Sequence, residues 1–255
     1  MAAPAPVHAN DLLVAPTRIV LNGSRGTEVI LNNIGTEEAT YRISLELRRM
    51  TADGNLEEVE IPNEIEEAAV EMIRYAPRRV VLPPNQPQAI RIGVRAPDAL
   101  PDGEYRAHML FRAIPRPRPV AEEEPQPTQG FNIRLTPIYG VSIPIIVRHG
   151  ELAATAAISD ARIVRDNDRR AISFSLSRQG EQSTYGEVII TKPGIDIPIV
   201  RARGIAVYPE LTQRTVTLPV NEAFEGSLSG PVLIQYREIE SDGGRLLAEA
   251  RTELR

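Results

Sequence analysis

Residue types able to do chemistry are present in this 255-residue chain, but not at spacings that perform it. The three histidines, His8, His108 and His149, have no metal-ligand spacing among them. Carboxylates are abundant, but the runs at Glu57–Glu71 and Glu122–Glu124 lie in an insertion and a loop, and an acidic run of this kind is a solvated face rather than an acid–base pair. No glycine-rich phosphate loop and no nucleophile elbow occurs. Cysteine is absent, which removes thiolate catalysis and disulfide frameworks together. The chain therefore reads as a non-enzyme with no cofactor and no metal. What remains is the chemistry of binding.

The feature that points to binding is Phe131–Val147, FNIRLTPIYGVSIPIIV. Every second residue is apolar: Phe131, Ile133, Leu135, Pro137, Tyr139, Val141, Ile143, Ile145 and Val147. Strict alternation marks a strand with one buried face. An ordinary strand runs roughly 5–6 residues, and this pattern lasts about three times as long. Pro137 and Pro144 inside it cannot donate to a ladder, which places them at a sheet edge or bulge. Gly140 reads as such a bulge. Long apolar edges are aggregation hazards that proteins normally blunt. One that is kept implies a strand meant for another chain.

Composition sets the frame for that strand. Aromatics make up 4% of the chain, there is no tryptophan, and 22 prolines break any long helical period. The one candidate helix is Asn63–Met72, with Asn63 as N-cap and Glu66 at the capping-box position. A net charge of −5 and a pI near 5.4 argue against nucleic acid as a partner. No apolar run is long enough to span a bilayer, so membrane insertion is not expected. Residues 1–10 read as a disordered tail or the remnant of a signal peptide, with Val7-His8-Ala9 resembling a cleavage site.

Strands are expected at Leu13–Leu21, Thr27–Asn32, Tyr41–Leu47, Val80–Leu82, Ala89–Val94 and Tyr105–Phe111, before the long alternating segment. Between Asp53-Gly54 and Val80–Leu82 lies an acidic insertion that carries the helix. Arg116–Gly130 is rich in proline and charge and reads as a mobile exposed loop. About seven strands suit an immunoglobulin-like sandwich over residues 11–148. Beyond His149-Gly150-Glu151, further alternating runs at Ala161–Val164, Ala171–Leu176, Tyr185–Thr191, Ile197–Val200, Thr215–Leu218, Val232–Tyr236 and Leu246–Arg251 predict a second sandwich over 149–255. The fold class is all-β: two immunoglobulin-like β-sandwiches, joined by a short linker in an angular arrangement.

Four segments taken in order, PTRIVLNG (16–23), PRRVVLPPNQPQAIRI (77–92), LPDGEYRAHMLFRAIP (100–115) and IPIIVRHG (143–150), resemble the PapD-like periplasmic pilus-assembly chaperones of chaperone–usher systems. The likeness covers about Leu13 to Gly150, and the second domain agrees in size and strand count. It implies a boomerang of two immunoglobulin-like domains located in the periplasm. The last strand of the first domain would be lent to a pilin or fimbrial subunit lacking its own final strand, before delivery to an outer-membrane usher. Phe131, Ile133, Leu135, Pro137 and Tyr139 fall on the donor face, and Val141–Val147 turns inward to the chain's own core. Self-association through this strand is a further partner mode.

The resemblance also implies an anchor for the subunit's C-terminal carboxylate, made of two basic residues. Arg18 of PTRIVL matches the first. The second is a lysine near the end of the last strand, and there this chain departs: Pro144 falls at that place, and the only lysine is Lys192. Arg112 and Arg148 are the candidate replacements, since a guanidinium fork suits a carboxylate. The departure points to an archaic or alternative branch. The competing reading is a structural two-domain immunoglobulin-like adhesin or pilus component, whose alternating strand closes its own sheet and which needs no arginine anchor.

Overall fold

The computed structural model describes residues 11–23, 25–115, 138–240 and 243–255. Among these residues, the regular elements are strands apart from one short helix. Two compact units form. The first is drawn from Met1–Leu47, Pro62–Leu100 and Tyr105–Val147, the second from Arg48–Ile61, Pro101–Glu104 and Arg148–Arg255.

The first unit holds β1 (Leu12–Ala15), β2 (Ile19–Asn22), β3 (Thr27–Asn33) and β4 (Ala39–Glu46). After an excursion come α1 (Glu64–Met72), β7 (Ile73–Ala76), β8 (Arg79–Leu82) and β9 (Gln88–Val94), then β10 (Gly103–Ile114) and β11 (Gly140–His149), of which Gly103, Glu104, Arg148 and His149 fall in the second unit. The excursion is a two-stranded hairpin of β5 (Arg48–Met50) and β6 (Leu56–Glu58). One sheet has the order β1-β3-β9-β7 and the other β2-β11-β10-β4-β8. Alternate residues of each strand point between the sheets: Val29 and Leu31, Tyr41 and Ile43, Ile90 and Ile92, and Ala107, Met109 and Phe111 meet there with Ile143, Ile145 and Val147. This is an immunoglobulin-like sandwich.

The expected first strand, Leu13–Leu21, is in fact two. It breaks at Pro16, after a cis Ala15–Pro16 peptide, so that β1 joins one sheet and β2 the other. A proline has no N–H for the ladder, and the chain uses the interruption to change sheets.

The helix starts as its sequence requires. Glu66 N–H donates to Asn63 Oδ1 at 3.0 Å, and Asn63 N–H donates to Glu66 Oε2 at 2.8 Å. Glu64, Glu66 and Glu67 lie in the first turn, where negative charge meets the positive end of the helix dipole. Ala69 and Met72 bury its inner face.

The acidic insertion divides. Its helix stays with the first unit, but its hairpin belongs to the second. There Thr215 N–H donates to Ala52 O at 2.8 Å and Met50 N–H to Glu210 Oε1 at 2.8 Å. Arg214 spans the turn, donating to Ala206 O and Asp53 O. Gly54 is required here: its φ is +86°, and a Cβ would lie 1.8 Å from Arg214 Nη2.

The second unit is a sandwich of β12 (Ala154–Asp166), β13 (Arg169–Gly180) and β16 (Gln213–Pro219) against β15 (Val200–Val207), β14 (Thr184–Thr191), β17 (Gly230–Arg237) and β18 (Leu246–Leu254). Ile172, Phe174, Val188, Ile190, Ile234 and Tyr236 form its centre. The expected strand Ile197–Val200 is displaced, and β15 begins only at Val200.

On β14, Glu187 is buried between two arginines, with Arg201 Nε at 3.1 Å and Arg203 Nε at 3.4 Å. Burial pushes its carboxyl up, but the bonds and charges of Arg201 and then Arg203 outweigh burial and hold it below the usual carboxylate range. A carboxyl depressed in the folded state contributes stability above its unfolded pKa, and that contribution is lost as pH falls through the folded value. Glu187→Gln is therefore expected to cost about 1 kcal/mol at neutral pH. The gap from wild type should close on acidification below about pH 4. Urea unfolding at both pH values measures it, and a gap independent of pH would contradict the ion-pair account.

Candidate functional site

The last strand of the first unit carries a gradient of exposure along one face. Val147 and Ile145 are 2% and 0% exposed and Ile143 2%, while Val141 rises to 36% and Tyr139, just before the strand, to 50%. These odd-numbered residues share one side because strand side chains alternate. On the opposite side, Gly140 is exposed and Ser142 is half-buried, with its hydroxyl donating to Glu46 Oε1 at 2.7 Å. The inner face thus begins as core and ends as an open apolar surface; the inward turn expected from Val141 starts only at Ile143.

The edges of β11 are unequal. On one side it lies along β10, and Ala113 N–H donates to Tyr139 O at 3.0 Å, which carries the pairing past the strand's first residue. On the other side its neighbour is β2, which is 4 residues long against 10 in β11. Among the described residues, part of that edge has no strand beside it. Backbone groups on such an edge can be satisfied by an added strand.

Three arginines were expected near this strand. Arg18 immediately precedes β2, the strand beside β11. It is half-buried, and its Nε and Nη2 are shielded from solvent. Ile19 and Leu21, the next inward residues, fix that segment in the core.

Arg112 lies on β10 but is exposed, on the face turned away from Phe111 and the core, with Arg42 of β4 directly opposite in register. Arg148, near the end of β11, is engaged already. Its Nε lies 3.1 Å from Glu104 Oε2, and its Nη2 reaches Ser183 O at 3.5 Å. Of the donor-face residues, Tyr139 is placed as described; Phe131, Ile133, Leu135 and Pro137 lie outside the described residues. So does the loop Arg116–Gly130. No group of metal-ligating side chains occurs among the described residues. Among them, no helix is long and apolar enough to cross a membrane.

The Glu104 cluster was not visible in the sequence. Glu104 is the second residue of β10, and its side chain is fully shielded from solvent. Besides Arg148, it accepts from Ser183 N–H at 3.0 Å and Ser183 Oγ at 2.9 Å. Next to it, Arg178 donates to the carbonyls of Gly180, Gln182, Pro209 and Leu211. Burial pushes the Arg178 pKa down, opposed by the charges of Glu104, Glu210 and Glu181. Glu104, Arg148, Arg178 and Ser183 all belong to the second unit.

No family model and no curated protein matches the sequence. Solved structures do match in fold. The YadV chaperone is 15% identical, with 96% of this chain and 100% of that chain covered and a TM-score of 0.50. The class 5 fimbriae chaperone CfaA is 15% identical, with 96% and 99% covered and a TM-score of 0.48. The archaic CsuC–CsuE chaperone–tip adhesion subunit complex of Acinetobacter baumannii Csu pili matches at 12% identity, with 95% and 97% covered and a TM-score of 0.48. At these identities the likeness is one of fold.

Proposed function

We propose that this chain is a periplasmic chaperone of a chaperone–usher system, which captures pilin-like subunits by lending them its last first-unit strand and then passes them to an outer-membrane usher. One observation carries the reading. The inner face of β11 runs without interruption from buried core at Ile143–Val147 to exposed Val141 and Tyr139. In the sequence the same alternation continues back through Pro137, Leu135, Ile133 and Phe131. The fold shared with the YadV chaperone and the PTRIVL segment around Arg18 support it.

The physics of such capture is strand addition, of which chaperone–pilin donor-strand complementation is a known instance. Main-chain hydrogen bonds satisfy two open edges at once, and each large apolar side chain entering a subunit groove contributes roughly 1.5–3 kcal/mol. That sum offsets the cost of ordering the lent segment. Arg18, beside the strand, is the group we assign to the subunit's terminal carboxylate. A charge-assisted bond at this place contributes roughly 1.5–3 kcal/mol and sets the register of the residues behind it. Arg112, on the outer face, and Arg148, held by Glu104, are less suited to share the role.

Arg18→Ala should therefore weaken capture of a co-expressed pilin subunit about ten- to hundred-fold, the equivalent of that bond, while chaperone stability stays nearly unchanged. Removing the subunit's C-terminal residue should give a comparable defect, and combining the two should add little, because both delete one interaction. Additive losses in the pull-down would show that Arg18 serves something else.

A further inference from the structure

The outer face of the five-stranded sheet carries a feature with no structural explanation in the fold. Arg42 of β4 pairs in register with Arg112 of β10 on one side and Arg79 of β8 on the other. Neighbouring strands lie roughly 4.8 Å apart, so the three side chains form a row about 10 Å long across the sheet. All three are exposed, and no carboxylate pairs with any of them among the described residues. Like charges directly opposite one another destabilise a sheet. Here two such pairs share one arginine, in a chain whose net charge is −5.

Apolar side chains flank the row. On one side Thr40 lies between Val81, 51% exposed, and half-buried Ile114. On the other, Leu110 is half-buried opposite Ser44. Beside Leu110, Gly140 leaves bare backbone where a Cβ would come within 2.9 Å of Leu110 Cδ1. The edge at β8 is only 4 residues long and is bounded by Pro77 before it and Pro83-Pro84 after it, which disfavours strand addition there. A partner is therefore favoured on the face over the edge.

We propose that this outer face docks an acidic, extended segment of a partner protein, whose carboxylates meet Arg79, Arg42 and Arg112 while its apolar side chains rest on Val81, Ile114 and Leu110. Guanidinium forks bind carboxylates bidentately, which gives the row specificity as well as charge. A bilayer surface fits less well: recognition of anionic lipid takes clusters of about 4–8 basic residues, and this chain is acidic overall. Inorganic polyanions would leave the apolar flanks unused. The surface lies on the opposite side of the sheet from the inward-facing Ile143 and Ile145, so it is separate from the strand-lending site and does not depend on that reading.

The test uses calorimetry with a short synthetic peptide of alternating glutamate and valine, and the same peptide with glutamine for glutamate. The full chain should bind the first and not the second. Arg42→Thr should weaken binding about ten-fold, and Arg42→Thr with Arg112→Thr should remove it. Independently, Arg42→Thr should raise the urea midpoint at low salt, with the gain shrinking as salt screens the repulsion. Equal affinity for both peptides, or an unchanged affinity in Arg42→Thr, would overturn the proposal. So would a fall in stability on Arg42→Thr, because the row would then be holding the sheet together. Binding confined to anionic phospholipid vesicles, or self-association lost in Arg42→Thr, would assign the face to a membrane or a second copy instead.

Discussion

Ile145→Asp should unfold the first unit, whereas Val141→Asp and Tyr139→Asp should leave it folded. The three residues share one face of one strand segment and differ only in where the chain's own core stops. Ile145 is 0% exposed and packs within the core of both sheets. Truncating a buried isoleucine alone costs about 2–5 kcal/mol, and a carboxylate left without a partner in that space adds several more. The total approaches the roughly 5–15 kcal/mol that holds a domain folded. Tyr139 is half exposed, so an aspartate there remains in water and costs within about 0.5 kcal/mol. Val141 is intermediate, at about 1 kcal/mol. Urea unfolding of the free variants measures the contrast. Equal losses at all three positions would mean that the whole face is core and none of it is available to a partner.

Arg148→Ala should cost the second unit about 3 kcal/mol, the low end of the range for breaking a buried ion pair. Glu104 is fully shielded, and removal of Arg148 leaves its charge with the two donors of Ser183 alone. The loss arises mostly from the stranded carboxylate, so adding Glu104→Gln to Arg148→Ala should recover much of it. Chemical denaturation of the two variants distinguishes this from a packing loss. A cost below about 1 kcal/mol, or no recovery in the double variant, would show that Ser183 and the field of Arg178 already compensate Glu104.

Local signals were legible. The capping box of Asn63 and Glu66 needs only residues three apart, and both of its bonds form. Thr27–Asn33 and Gln88–Val94 alternate cleanly because one face is buried and the other is wet. The break between β1 and β2 was hidden because Val14, Ile19 and Leu21 all face the core, although in different sheets. The hairpin of β5 and β6 was hidden for a different reason. Its short, charged strands are held by Glu210 and Arg214, about 160 residues away, and periodicity carries no trace of that. In β15, Gly204 has a positive φ, and Arg201 and Arg203 turn toward Glu187; the alternation is masked by residues recruited for their charge.

The site divides in the same way. Arg18 could be proposed from the sequence because it sits in a contiguous segment that resembles a known family, and Tyr139 because it belongs to an alternating run. Glu104 could not be singled out, since its partners Arg148 and Ser183 come from distant stretches of chain. Nor could the row of Arg79, Arg42 and Arg112, which exists only once the register of three strands is set.

The central claim is that the face beginning at Val141 and Tyr139 is lent to another chain. Its most direct measurement is capture of a co-expressed pilin subunit by the variant carrying Tyr139→Asp and Val141→Asp together, compared with wild type by co-purification from the periplasm. The variant should be folded and present in normal amount, yet retain no subunit, because two carboxylates cannot enter an apolar groove without their hydration. Undiminished capture by this folded variant would contradict the account.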